Sequence, residues 1–164
     1  MHHHPLKYAQ IERERRYLVR AVPDGVRYVD EIEDAYIGGT RLRLRQVTSQ
    51  GEVTRKLGHK IRLGPGPREV ASTSLYLDDA EWDQLSKLPV RRLRKRRHHV
   101  VRDGYAFAVD EFPDGTLLAE FDGGADTPTG VPAWLEVVAD VTDDEEWTGA
   151  GRAARAVDTD LTSG

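Results

Sequence analysis

The strongest constraint on the fold is a like charge repeated at every second residue. Arg41, Arg43 and Arg45 alternate with Leu42 and Leu44, so an extended chain puts three guanidinium groups on one face and the leucines on the other. The pattern recurs along the chain. Lys56, Lys60 and Arg62 share a parity, with Leu57, Ile61 and Leu63 opposite. Lys95 and Arg97 share a face, and Glu12, Glu14 and Arg16 lie on one side of the segment 11–20. Glu120 and Asp122 share a face, with Leu117, Ala119 and Phe121 behind them. Asp110 shares its face with Ala106 and Ala108, whose small side chains leave room beside it. For any one strand, a charged face is ordinarily a solvated outer face. Several strands of this kind are harder to explain that way, because like charges in close rows repel. Solvated surfaces also mix signs, whereas this chain segregates them by strand. A closed barrel with a charged interior and an apolar outer face, partly covered by helices, fits the pattern. Such an interior requires water and a charged ligand in compensation.

Glycine and proline divide the chain into short extended runs. Pro23-Asp24-Gly25, Gly38-Gly39, Gly51, Gly64-Pro65-Gly66-Pro67, Asp103-Gly104, Pro113-Asp114-Gly115 and Gly123-Gly124 read as turns. Between them, period-two patterning predicts strands over 11–20, 27–37, 40–48, 52–63, 69–77, 92–102, 105–112 and 116–122. Asp103-Gly104 has the composition of a two-residue hairpin turn. Asp78 or Asp79 caps a helix running to about residue 88, with Trp82, Leu85 and Leu88 on one face and Pro89 as its stop. Pro132 suits the first position of a short helix through Trp134 and Leu135. An acidic first turn, Asp143 to Glu146, opens a helix over 143–157, which Gly149 and Gly151 weaken. The expected fold is mainly β (α+β): an eight-stranded antiparallel closed barrel or tunnel, flanked by a few helices, over residues 11–157. Residues 1–10 read as an extension or tag-like segment and 158–164 as a tail; the His2–His4 run is kept out of the site.

The candidate inward cations are Arg16, Arg41, Arg43, Lys56, Lys60, Arg62, Lys95 and Arg97, with Arg45 as a ninth. The candidate inward anions are Glu12, Glu14, Asp110, Glu120 and Asp122. A small polyanion such as a polyphosphate matches the positive surplus, since arginine grips phosphate through two N–H groups and lysine as a point charge. The carboxylates repel a bare phosphate, but they suit Mg²⁺ or Mn²⁺, which bind through a few carboxylates plus substrate phosphates. Together they describe a phosphoryl-transfer or hydrolysis site. The formal net charge of −4 argues against a dedicated nucleic-acid binder. The absence of cysteine excludes disulfides and thiolate sites, and no apolar run is long enough for a membrane span. A cytoplasmic protein is the expectation.

The same residues resemble the CYTH domain superfamily, the triphosphate tunnel metalloenzymes, over about residues 10–147. Glu12-Arg13-Glu14-Arg15-Arg16 is similar to its E-x-E-x-K signature, and Arg41-Leu42-Arg43 to its R-x-R strand. Lys60, with Lys56 before it, resembles the lysine strand that follows. Lys95-Arg96-Arg97 resembles K-x-R, Val109–Phe112 resembles V-D-x-F, and Leu118–Asp122 resembles L-x-E-x-E with aspartate in the last place. Trp134-Leu135 and Val141-Thr142 resemble the C-terminal W-L…E-V-T stretch. The resemblance implies an eight-stranded tunnel, a triphosphate substrate and dependence on Mg²⁺ or Mn²⁺. Glu12, Glu14, Asp110, Glu120 and Asp122 would then hold metal, and Arg41, Arg43, Lys60, Lys95 and Arg97 would hold phosphate. It leaves several activities open: hydrolysis of inorganic triphosphate, which the lack of a second domain favours, thiamine or nucleoside triphosphatase, and adenylate cyclase.

Three departures bear on this. Arg16 stands where the family has lysine; it binds phosphate but stays protonated. The stretch Val70–Ser74 lacks the acidic residues common there, and Asp140 replaces a late glutamate. They motivate a second reading, a polyphosphate-binding module without catalysis; an RNA-binding barrel is a third. The run Arg91–Arg97 reads as a strand with Lys95 and Arg97 inward rather than a nucleic-acid patch. His99 shares their parity near an opening. Ser72 and Ser74 read as polar lining, and the three tryptophans as core anchors. Tyr28, Tyr36 and Tyr105 are the candidates for stacking on a nucleoside. Asp143–Glu146 reads as a solvated helix start, with an acidic lid as the alternative.

Overall fold

The computed structural model describes residues 6–123 and 130–161. The His2–His4 run, Gly124 and residues 162–164 lie outside that range. The strands are β1 (Gln10–Val19), β2 (Val26–Ile37), β3 (Leu42–Ser49), β4 (Glu52–Arg62), β5 (Glu69–Tyr76), β6 (Val90–Arg102), β7 (Tyr105–Glu111), β8 (Leu117–Gly123) and β9 (Val137–Asp140). Two α-helices accompany them, α1 (Asp79–Leu85) and α2 (Gly149–Leu161). The sheet order is β5-β4-β3-β2-β6-β7-β8-β1, and pairing of β1 with β5 closes it into the expected eight-stranded antiparallel barrel. None of the helices among the described residues is long and apolar enough to cross a membrane.

Turn chemistry sets the hairpins. Gln50-Gly51 and Asp103-Gly104 both adopt positive φ at each residue, the conformation that matches the twist of the strands they join. Strand β1 is the seam of the barrel. One edge pairs with β8; the other pairs with β5 over Gln10–Arg13 and with the unanticipated ninth strand over Tyr17–Val19. Between those two stretches Glu14 N donates to Arg68 O (2.8 Å) and Arg16 N donates to Thr142 Oγ1 (3.0 Å), so the backbone there stays satisfied.

Apolar residues divide between outside and inside as the parity requires. Outside, Tyr17, Val19, Phe107, Val109, Ala119 and Phe121 pack under Trp134 and Leu135. Also outside, Ala35, Ile37 and Leu44 pack under Trp82 and Leu85 of α1. Asp78 caps that helix in a reciprocal box with Glu81. The helix ends at Leu85, so Leu88 falls beyond it and is exposed. A third cluster has inward parity: Leu93 and Leu118, with Leu18 and Tyr36, pack against Val141, Trp147 and Ala153. The barrel interior therefore turns from charged to apolar toward the end where α2 sits.

The C-terminal part departs most from the sequence reading. Residues 132–135 form one turn, closed by Leu135 N to Pro132 O (3.0 Å), rather than a helix. Strand pairing wins there, because Glu136 O accepts from Arg20 N (2.9 Å) and the chain then enters β9. The helix expected over 143–157 is split into a 3₁₀ turn, Glu145–Trp147, and α2. Gly149 and Gly151 are required by close approach. A Cβ at Gly149 would clash with the Tyr36 hydroxyl, and one at Gly151 would clash with the Glu145 carbonyl oxygen. In a helix, Gly→Ala ordinarily stabilises. Here Gly151→Ala is expected to have the opposite sign, destabilising by about 1–3 kcal/mol through overpacking, which a urea titration of both proteins would measure.

Candidate active site

The inner faces of the strands enclose a cavity of about 760 Å³. Every inward residue proposed from the sequence lines it except Asp110. From β1 come Glu12, Glu14 and Arg16, and from β3 and its approach Arg41, Arg43 and Arg45. Strand β4 gives Lys56, Lys60 and Arg62, β6 gives Lys95 and Arg97, and β8 gives Glu120 and Asp122. Ser72, Ser74 and His99 complete the expected lining. Tyr28 and Tyr36 also face the cavity, whereas Tyr105 packs outside, edge-on to Trp134. Of the basic run 91–97, Arg94 and Arg96 are exposed and paired with Glu33 and Glu31.

Asp110 lies beneath this surface and is fully buried. Arg97 donates to it through Nε (2.7 Å) and Nη2 (2.8 Å), and Lys95 Nζ at 2.6 Å. With both oxygens engaged, Asp110 positions two cations rather than presenting an oxygen to the cavity. Burial alone raises a carboxyl; here Arg97 and Lys95 outweigh it and hold Asp110 well below the usual range. Arg97 Nη2 also reaches Glu120 at 2.9 Å.

Asp34, which the sequence reading passed over, does the same work on β3. It is buried opposite Arg45, which donates to it at 2.7 and 2.8 Å, with Arg43 Nε 3.8 Å away. Burial pushes its carboxyl up, but Arg45 and then Arg43 outweigh that and bring it down to about 2. A carboxyl depressed in the folded state contributes stability above its unfolded value, and loses it as pH falls through the folded one. Asp34 accordingly contributes roughly 2 kcal/mol near neutrality, lost between about pH 4 and pH 2. Asp34→Asn is expected to melt lower at neutral pH and to lose less on acidification through that window. Its parity with Tyr36 was the available signal. Arg27 was also missed. A register shift between Val26 and Tyr28 disturbs the alternation there, so parity could not assign it.

The cavity wall carries ten lysines and arginines against four carboxylates among the described residues. Arg16 Nε and Nη1 and Arg43 Nε are buried without a hydrogen-bond partner. Gly58 makes room for Arg43, since a Cβ there would lie 3.3 Å from its Nη2. Lys60 bridges Glu14 (2.5 Å) and Glu12 (3.1 Å), and Arg16 pairs with Glu14. Burial, with Arg43 nearby, pushes the Lys60 ammonium down despite Glu12. At the α2 end, Glu145 takes Arg62 through both oxygens and Asp143 takes Arg68, so the acidic segment reaches the cavity rim.

A hard divalent cation fits the carboxylate side. Burial and then the neighbouring Glu12 raise the Asp122 carboxyl against the pull of Lys60, so carboxylates crowd the corner where Asp122 faces Glu14, its cross-strand partner. No three carboxylates or imidazoles are already gathered for ligation among the described residues. Mg²⁺ needs only one or two when substrate phosphates complete its shell.

The fold and wall define a closed antiparallel barrel with a cation-rich interior. The same barrel fold occurs in solved structures, as the resemblance led us to expect. The inorganic triphosphatase NE1496 superposes with a TM-score of 0.53 at 22% identity, over 87% of this chain and 93% of that one. The PH1819 protein from Pyrococcus horikoshii OT3 gives 0.55 at 15% identity, over 92% of this chain and 89% of the other. Neither a family model nor a curated protein matches the sequence.

Proposed function

We propose that the chain is a CYTH-type, divalent-metal-dependent triphosphatase of the cytoplasm, acting first on inorganic triphosphate. The observation that carries this is the set of buried guanidinium N–H groups on Arg16 and Arg43 without acceptors, in a wall with a large cationic surplus. Buried donors of this kind call for an anionic acceptor. A linear triphosphate brings several charges and many oxygens in a form that fits between facing strands. The triphosphatase activity of NE1496, a protein of the same fold, supports the reading.

Arg41, Arg43, Lys56, Lys60 and Arg62 grip the chain of phosphates from one wall, and Arg16, Lys95 and Arg97 from the other. Their charges oppose the negative charge that develops on the bridging oxygen as the terminal phosphorus is attacked. Asp34 and Asp110 fix the arginine forks before substrate arrives, which lowers the reorganisation needed at reaction. Glu12, Glu14, Glu120 and Asp122 would hold Mg²⁺ or Mn²⁺, which supplies charge neutralisation and activation of water.

The test is phosphate release from inorganic triphosphate with and without Mg²⁺ or Mn²⁺, beside ATP and thiamine triphosphate. Metal-dependent turnover preferring triphosphate is the expected result. A melting temperature raised by triphosphate, with no release under either metal, would instead make the chain a binding module. Ser72 and Ser74, in place of acidic residues on β5, favour that second reading.

A further inference from the structure

The proposed hydrolysis needs an acceptor for the proton of the attacking water. Arg16 cannot serve, because guanidinium stays protonated. The cavity wall contains one imidazole among the described residues, His99. Its Nε2 lies 2.8 Å from Asp30 Oδ2, and its ring stacks on Tyr28 with centroids 4.1 Å apart and planes 20° apart. Asp30 is buried, and its Oδ1 has no hydrogen-bond partner. An imidazole fixed in orientation by a buried carboxylate on one nitrogen offers the other, Nδ1, to a ligand.

The register places that ring one strand away from Glu120. His99 follows Arg97 by two residues on the same inward face, and its cross-strand partner is Ala108. Ala108 in turn pairs with Glu120. His99 and Glu120 thus flank one alanine, and Ala106 is the next inward residue on β7, so nothing larger than a methyl group fills the floor between them. The charged groups around the ring are Asp30 on β2, Arg97 on β6, Glu120 beyond the alanine, and Arg27 in the same wall.

We propose that His99, oriented by Asp30, is the general base of triphosphate hydrolysis. This rests on the triphosphatase reading above. Water attacks the terminal phosphorus and its proton passes to Nδ1 of His99. The bridging P–O bond breaks with its electron pair on the diphosphate oxygen. The imidazolium, still hydrogen-bonded to Asp30, then returns the proton to solvent. The products are phosphate and diphosphate.

The experiment compares wild type, His99→Gln, His99→Gly and Asp30→Asn in phosphate release from inorganic triphosphate with Mg²⁺ or Mn²⁺. Triphosphate affinity is measured alongside by calorimetry, and folding by thermal melting. His99→Gln is expected to lose about 10²-fold in kcat, the usual worth of a general base, with triphosphate affinity little changed. Added imidazole is expected to restore part of the activity of His99→Gly, and Asp30→Asn to lower kcat in the same direction. An unchanged kcat in a folded His99→Gln would overturn the proposal and leave the triphosphatase reading standing. So would a loss of activity matched by an equal loss of affinity, which would make His99 a phosphate contact only. Wild type that binds triphosphate without turnover would overturn the hydrolase reading, and the base with it.

Discussion

Asp110→Asn is expected to destabilise the protein by about 3–5 kcal/mol, the cost of removing one partner from a buried ion pair. It strands Lys95, whose side chain is 4% exposed, and leaves Arg97 with Glu120 alone. For a chain of this size that amounts to a fall in Tm on the order of 10 °C. Asp122→Asn is the informative control. Its carboxyl is held above the ordinary range by burial and by Glu12, so its charged form works against folding. Removing that charge is expected to leave Tm unchanged or higher, while metal-dependent turnover falls. The two aspartates thus separate by sign. If both variants lost stability alike, the division between a positioning carboxylate and a cavity carboxylate would fail.

That division shows where the sequence was legible. Parity alone assigned the inward face of β1, β3, β4, β6 and β8, because an extended chain alternates strictly and the charges were too regular to be a solvated surface. It identified Asp110 as inward but not its depth. Depth depends on which cations close over the carboxylate, a property of three strands in register rather than of one. Asp34 was hidden for the same reason: it sits between Glu33 and Ala35 in a strand with carboxylates on both faces, and only pairing with β3 sets it opposite Arg45. The segment after residue 130 was least legible. Its conformation follows from docking on the edge of β1, where Thr142 and Val141 satisfy the backbone of Arg16. The two glycines that weaken α2 as a helix are what allow it to approach Tyr36 and the preceding turn.

Arg43→Ala is expected to remove most of the gain in Tm that triphosphate gives, and to lower kcat by about 10²–10³-fold, the range for loss of one preorganised charge-stabilising group. The unliganded variant is expected to be as stable as wild type or more so. The reason lies in the surroundings of Arg43. Arg43 Nε is buried without a partner, and its charge helps push the nearby Lys60 ammonium down. In wild type without ligand, Arg43 therefore contributes desolvation and like-charge repulsion that Asp34, 3.8 Å away and committed to Arg45, offsets only in part. A triphosphate reverses the sign of that interaction by supplying the missing acceptor. Melting wild type and variant with and without triphosphate, in the presence of a chelator, isolates this effect from the metal. Equal ligand-induced shifts in the two proteins would mean that Arg43 does not face the phosphates. A large loss of unliganded stability would mean that Arg43 serves the fold rather than the ligand. The expected pattern, unchanged stability with lost binding, follows when a fold keeps a repulsive interior for its ligand to neutralise.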